Sequence, residues 1–141
     1  MTRSALLVTH TGRRQSTQHA RTVAQDLLAA GFEVRVIAEE VADLDLPPEV
    51  TTVEAPTPAA AEGCEIVLAM GGDGTFLRAA ELARPVKAAL LGINLGKVGF
   101  LSEVEIDHLD EAVKDVVSGA YKVDERLTLD VRAEYGGRVI A

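Results

Sequence analysis

The run Ile66-Val67-Leu68-Ala69-Met70 breaks off at Gly71-Gly72-Asp73-Gly74-Thr75, and Phe76-Leu77-Arg78-Ala79-Ala80 takes over at once. So short an apolar run cannot span a membrane and suits a strand covered on both faces. The glycines mark a tight turn, and the segment beyond them reads as a helix. Without Cβ atoms, the turn lets a phosphate come close to the backbone. The N–H groups of the opening helical turn face the same space with a favourable dipole. Asp73 stands against this pattern. A carboxylate repels a neighbouring anion unless a cation or a reacting hydroxyl lies between them.

The flanking sequence repeats the strand-and-helix alternation. Ala5 to His10 is a mostly apolar first strand, and Thr11-Gly12-Arg13-Arg14 is its exit loop. Ala20, Val23, Ala24, Leu27 and Leu28 then form one helical stripe, which Gly31 ends in the C′ place. Glu33 to Ala38 is a second strand. From Glu39 to Gly63 the sequence turns to acids, prolines and small residues, a variable connection with a short strand near Val50 to Val53 and a helical turn near Ala59 to Glu62. After the glycine turn, Arg84-Pro85 closes the helix, because a residue before proline is disfavoured in helical geometry. Ala88 to Asn94 is another buried strand. Ile106, Leu109, Ala112, Val113, Val116 and Val117 make a second stripe, with Asp107 as its expected N-cap and Gly119 as its stop.

From Tyr121 the character changes. Leu127, Leu129 and Val131 alternate with Thr128, Asp130 and Arg132, the pattern of a half-exposed antiparallel strand, and Tyr135-Gly136-Gly137-Arg138 reads as a hairpin turn. The fold class expected is α/β, an open Rossmann-like parallel sheet flanked by helices over 1–121. Residues 122–141 read as the first strands of a truncated C-terminal β-rich domain, since one hairpin alone is marginal.

Composition narrows the function. A net charge of −8 argues against an electrostatic nucleic-acid binder, while leaving room for a small phosphorylated ligand. Cys64 is the lone cysteine, so the chain holds no disulfide framework and no cysteine zinc cluster, and a reducing cytoplasm is the expected location. Hydrophobic residues make up 48% of the chain, too many for a disordered polymer. The amino terminus shows no signal-peptide pattern, and no membrane association is expected.

In open α/β sheets the ligand crevice lies beyond the carboxyl ends of the strands. Thr11-Gly12-Arg13, Gly71 to Thr75 and Asn94 to Phe100 would meet there. Neither the G-x-G-x-x-G fingerprint nor a Walker loop is present. Asp73 has three readings: a general base for a hydroxyl that attacks a phosphoryl group, an organiser of Mg²⁺, or an ordinary N-cap. Arg78, one helical turn on, is either a phosphate partner or a solvated surface arginine. Asn94, Gly96, Gly99 and Phe100 form either a tight nucleotide-holding loop or a packing turn. His10, His19 and His108 lack metal-ligand spacing and read as structural.

Gly71 to Ala80, together with Leu91-Gly92-Ile93-Asn94-Leu95-Gly96-Lys97-Val98-Gly99-Phe100-Leu101-Ser102-Glu103, closely resembles the NAD kinases in their bacterial ATP/polyphosphate form. The first motif alone is shared with diacylglycerol and sphingosine kinases and, more distantly, with phosphofructokinases. The second motif at this distance singles out NAD kinase. Thr9 to Arg13 and Asp124 to Leu129 fit too, so the resemblance spans nearly the whole chain. It implies phosphoryl transfer from ATP or inorganic polyphosphate, with Mg²⁺ or another divalent ion, to the 2′-hydroxyl of the adenosine ribose of NAD. It further implies Asp73 as the base, Gly74 and Arg78 as NAD contacts, Gly71, Gly72 and Thr75 as the donor-phosphate turn, and Phe100 packed near the nucleotide. Family enzymes assemble as homo-oligomers, dimers or tetramers. They complete the NAD site with an Asn-Glu or Asn-Asp pair from a C-terminal β domain, and this chain has no Asn after Asn94. The chain is therefore expected to be inactive alone. A lipid kinase and a non-catalytic nucleotide-binding module are the competing expectations.

Overall fold

The computed structural model describes residues 3–9, 14–37, 46, 48–53, 58–94, 104–119, 121, 133–135 and 138–140. Strands β1 (Ser4–Thr9), β2 (Glu33–Ile37), β3 (Thr51–Val53), β4 (Ile66–Gly71), β5 (Ala89–Asn94) and β6 (Val104–Glu105) form one parallel sheet. Their order is β3-β2-β1-β4-β5-β6. The chain works outward from β1 and then restarts beside it with β4. The order therefore reverses between β1 and β4, the topological switch point of a doubly wound fold.

Helices α1 (Arg14–Ala29), α2 (Asp73–Ala83) and α3 (Leu109–Ser118) cover the sheet. Successive strand side chains point to opposite faces, and the two cores divide accordingly. Ala5, Leu7, Val34, Val36, Ile66, Leu68 and Met70 pack with Val23 and Leu27 of α1 and Val113 and Val116 of α3. Leu6, Val8, Ile37, Val67 and Ala69 pack with Ala79, Leu82 and Ala83 of α2 and with Ala60, Ala61 and Cys64. Burial on both faces is why β1 and β4 read as continuous apolar runs. The expected helical turn is the 3₁₀ segment Pro58–Ala61, and Gly31 takes the positive φ expected after α1. Among the described residues no helix is long and apolar enough to cross a membrane.

The amino-terminal pole of the sheet carries a polar latch. Arg3 Nε and Nη2 donate to Glu65 Oε1 and Oε2 at 2.6 and 2.9 Å. The same guanidinium donates to the carbonyl oxygens of Val117 and Val116, at 2.7 and 2.9 Å, satisfying the carboxyl end of α3. It also lies 4.3 Å from the ring centroid of Phe32. The Tyr121 hydroxyl donates to Glu65 Oε2. The hydrogen bond from Arg3 holds the Glu65 carboxyl below its ordinary range. Burial, and then the bond to Glu65, pushes the Tyr121 phenol up. Beside β2, Arg35 pairs with Glu33 at 2.6 Å and donates to the Ala60 and Glu62 carbonyls, which fixes the 3₁₀ turn.

Several local expectations are corrected. Arg84 remains right-handed helical at φ −56°, ψ −50°, despite the following proline, and its N–H donates to the Ala80 carbonyl. The chain tightens into a 3₁₀ turn over Arg84–Val86 and stops at Lys87, which takes a left-handed φ of 57°. Pro85 fits because its fixed φ suits the first residues of a helical turn, where no N–H is required. Asp107 is not the cap of α3: Ile106–His108 is a 3₁₀ turn and His108 occupies the N-cap without a side-chain bond. Asp110 and Glu111 supply the negative charge of the first turn instead. Arg14, read as loop, already belongs to α1. The two-residue β6 had no signature in the sequence.

Strands β7 (Ala133–Tyr135) and β8 (Arg138–Ile140) pair antiparallel as a separate two-stranded sheet. Tyr135 opposite Arg138 leaves two residues between the strands, the hairpin expected there. The alternating stretch Leu127 to Arg132 lies outside the described residues.

Candidate functional site

Gly71 ends β4 and is buried, and Gly72 is the N-cap of α2. The Phe76 N–H donates to the Gly72 carbonyl at 3.1 Å, which closes the first helical turn. Asp73, Gly74 and Thr75 are therefore the first three helical residues, whose N–H groups find no acceptor within the helix itself. They form an electropositive terminus at the carboxyl edge of the sheet, beside the switch point.

The glycines explain what this terminus is shaped for. Gly72 has φ −99° and ψ −164°, extended backbone open to any residue, and Gly74 is helical. A Cβ added to either would meet nothing within 4 Å. Neither backbone conformation nor packing against the described residues requires glycine here. The described residues leave the Cβ position of both glycines clear.

Asp73 is half-buried between them and opens α2 rather than capping it, so the N-cap reading of this acid is overturned. Gly74 is exposed and Thr75 is buried, 8% exposed, facing into the fold. Arg78 is half-buried, and its Nη2 donates to the Thr9 carbonyl at 3.0 Å. Neither of the two expectations for this arginine included a backbone partner. A signal was present: long helical side chains lean toward the helix amino terminus, and here that terminus adjoins the end of a neighbouring strand.

The register joins the two sequence motifs. Gly71 is the β-partner of Asn94, and Asn94 is in turn the partner of Glu105. Thr9 is the partner of Met70. Thr9, Gly71 and Asn94 thus end their strands at one edge of the sheet, the edge where the three loops are expected. Asn94 is buried. Phe100, Gly96, Gly99, His10 and Thr11 to Arg13 lie outside the described residues. His19 stands on α1 and His108 before α3, far apart in the chain and in separate elements.

The family model for the ATP-NAD kinase N-terminal domain matches residues 5–121. NAD kinase 2 of Streptomyces avermitilis is 48% identical over 138 residues, covering 98% of this chain and 46% of that protein. NAD kinase of Mycobacterium bovis is 46% identical over 149 residues, covering 98% and 48%. The chain spans about half the length of the curated relatives it matches. Yeast NADH kinase, solved in complex with NADH, shares the fold at a TM-score of 0.68 and 16% identity, over 83% of this chain and 36% of that one.

Proposed function

The chain belongs to the NAD kinase family, and on that premise we propose that it supplies the phosphate-facing wall of a site converting NAD to NADP. The reaction transfers the terminal phosphoryl group of ATP, or of inorganic polyphosphate, to the 2′-hydroxyl of the adenosine ribose. The hydroxyl oxygen forms the new P–O bond as the bond to the leaving phosphate breaks, and Asp73 accepts the hydroxyl proton. The N–H groups of the first turn of α2 face the donor phosphates, with Gly71, Gly72 and Thr75 shaping the turn. Gly74, Arg78 and Phe100 contact NAD.

The observation that carries this reading is the amino terminus of α2 at the carboxyl edge of the sheet, holding one carboxylate, Asp73, between two glycines that the described residues leave clear. Among the described residues no group of three His, Cys, Asp or Glu side chains gathers as a metal cage. The divalent cation accompanies the donor phosphates, as part of the substrate, which suits the habit of Mg²⁺ of keeping few protein ligands.

Residues 1–121 form the α/β domain and 122–141 open a second, β-rich domain, a division supported by the separate β7–β8 sheet. The full-length protein works in the cytoplasm as a homo-oligomer. Residues 1–141 alone give negligible turnover, because the rest of the NAD site comes from the other domain. The test is NADP formation by full-length protein with ATP and with polyphosphate in turn. Failure with both donors, or phosphorylation of diacylglycerol in place of NAD, overturns the reading.

A further inference from the structure

Helix α2 is fixed at two points. Its first residue, Asp73, follows β4 through the single residue Gly72. In its second turn Arg78 Nη2 donates to the carbonyl oxygen of Thr9, the last residue of β1. Thr9 is completely buried. β1 and β4 are neighbours in the sheet and flank the switch point. The bond therefore closes a triangle of β1, β4 and α2, with Asp73 at one corner. A guanidinium donating to a backbone carbonyl holds direction as well as distance, since its N–H groups lie in one rigid plane.

We propose that Arg78 is a positioning residue, which sets the stance of Asp73 at the carboxyl edge of the sheet by clamping α2 to the end of β1. The role is separate from any contact Arg78 makes with a nucleotide. It explains why the arginine reaches inward toward the sheet rather than into solvent. The kinetic consequence rests on the NAD kinase reading, because Asp73 as base must stand within hydrogen-bond reach of the attacking hydroxyl. A helix released from β1 shifts that carboxylate without removing it.

The experiment uses full-length protein carrying Arg78→Gln, whose shorter side chain cannot span to β1. Labelling with ¹³C′-threonine and ¹⁵N-histidine selects the Thr9–His10 peptide. In ligand-free protein the Thr9 carbonyl resonance should move upfield as its hydrogen bond is lost. In turnover, kcat should fall roughly tenfold or more, over and above any rise in the NAD dissociation constant from the lost nucleotide contact, as displacement of a reacting group predicts. An unmoved carbonyl resonance overturns the clamp. A moved resonance with unchanged kcat overturns the positioning role, and so does a raised dissociation constant with unchanged kcat. If Arg78→Gln does not fold, Arg78→Lys keeps the charge and the helix propensity, and the same readouts should change less but in the same direction. Wild-type protein that makes no NADP would defeat the kinase reading, whereas the carbonyl resonance judges the clamp by itself.

Discussion

Gly71 and Asn94 are β-partners at the carboxyl ends of β4 and β5. The pairing places Asn94 of the second motif directly beside the start of the first. Asn94 itself, at the end of β5, is therefore the β5 residue next to the junction that opens α2. Parallel pairing does this without a dedicated contact, because every strand of such a sheet delivers its exit loop to the same edge.

Gly74→Ala separates a structural glycine from a functional one. The site is helical, and an added Cβ meets none of the described residues within 4 Å. Stability should stay within about 1 kcal/mol of wild type, or rise slightly as the unfolded chain loses freedom. NADP formation by the full-length protein should nonetheless fall at least about tenfold, because the methyl group occupies ligand space. A destabilised but active variant would mean that the glycine serves the fold.

The sheet and helices were legible where a single force dominates. β1 and β4 are buried on both faces and announce themselves as apolar runs, and α1 and α3 as stripes of 3.6-residue period. The junction of β4 and α2 was legible because an apolar run stops there and a helical segment starts at once. The latch of Arg3, Glu65 and Tyr121 was not: its members are 62 and 56 residues apart, and no periodicity links them. The partner of Arg78 was hidden for the same reason, since a backbone carbonyl has no letter in the sequence. At Arg84, packing and the 3₁₀ turn overrode the local preference before proline.

Asp73→Asn tests the acid itself. Asparagine keeps the shape and polarity but cannot take a proton. In the full-length enzyme turnover should drop roughly a hundredfold to ten-thousandfold, the range for loss of a general base. NAD affinity should change by no more than about threefold, as for an interaction made only in the transition state. Isothermal titration beside steady-state kinetics distinguishes the two, and near-normal kcat would remove Asp73 as the base.

Lys87→Gly tests the end of the α2 unit. Lys87 is the non-glycine residue with positive φ among the described residues, at 57°. Left-handed geometry costs a side-chain-bearing residue about 1 kcal/mol, of which glycine's greater unfolded freedom takes back part. Thermal denaturation should show net stabilisation of about 0.5 kcal/mol, with activity unchanged. A loss of stability would point to a contact of the lysine side chain that outweighs its backbone strain.

The Arg3 latch should give stability a pH dependence with two limbs. Glu65 is held below its ordinary value of 4.5, chiefly by the hydrogen bond from Arg3. Its contribution is therefore complete above that value and is lost as pH falls through the depressed one. Tyr121 is pushed above 10.0, first by burial and then by its bond to Glu65. Its contribution is complete below that value and disappears as pH rises through the raised one, where the phenolate would face a carboxylate. Urea unfolding across pH should show both losses. Glu65→Gln should flatten the acid limb and cost about 1–2 kcal/mol at neutral pH, a modest figure because the pair is partly exposed. Tyr121→Phe should leave the acid limb largely in place and flatten the alkaline one. If Glu65→Gln retains the full acid slope, the carboxylate responsible lies elsewhere and the latch is only a local contact. A Glu65→Gln variant that also keeps its neutral-pH stability would show that the Arg3 bonds to the end of α3 suffice without it.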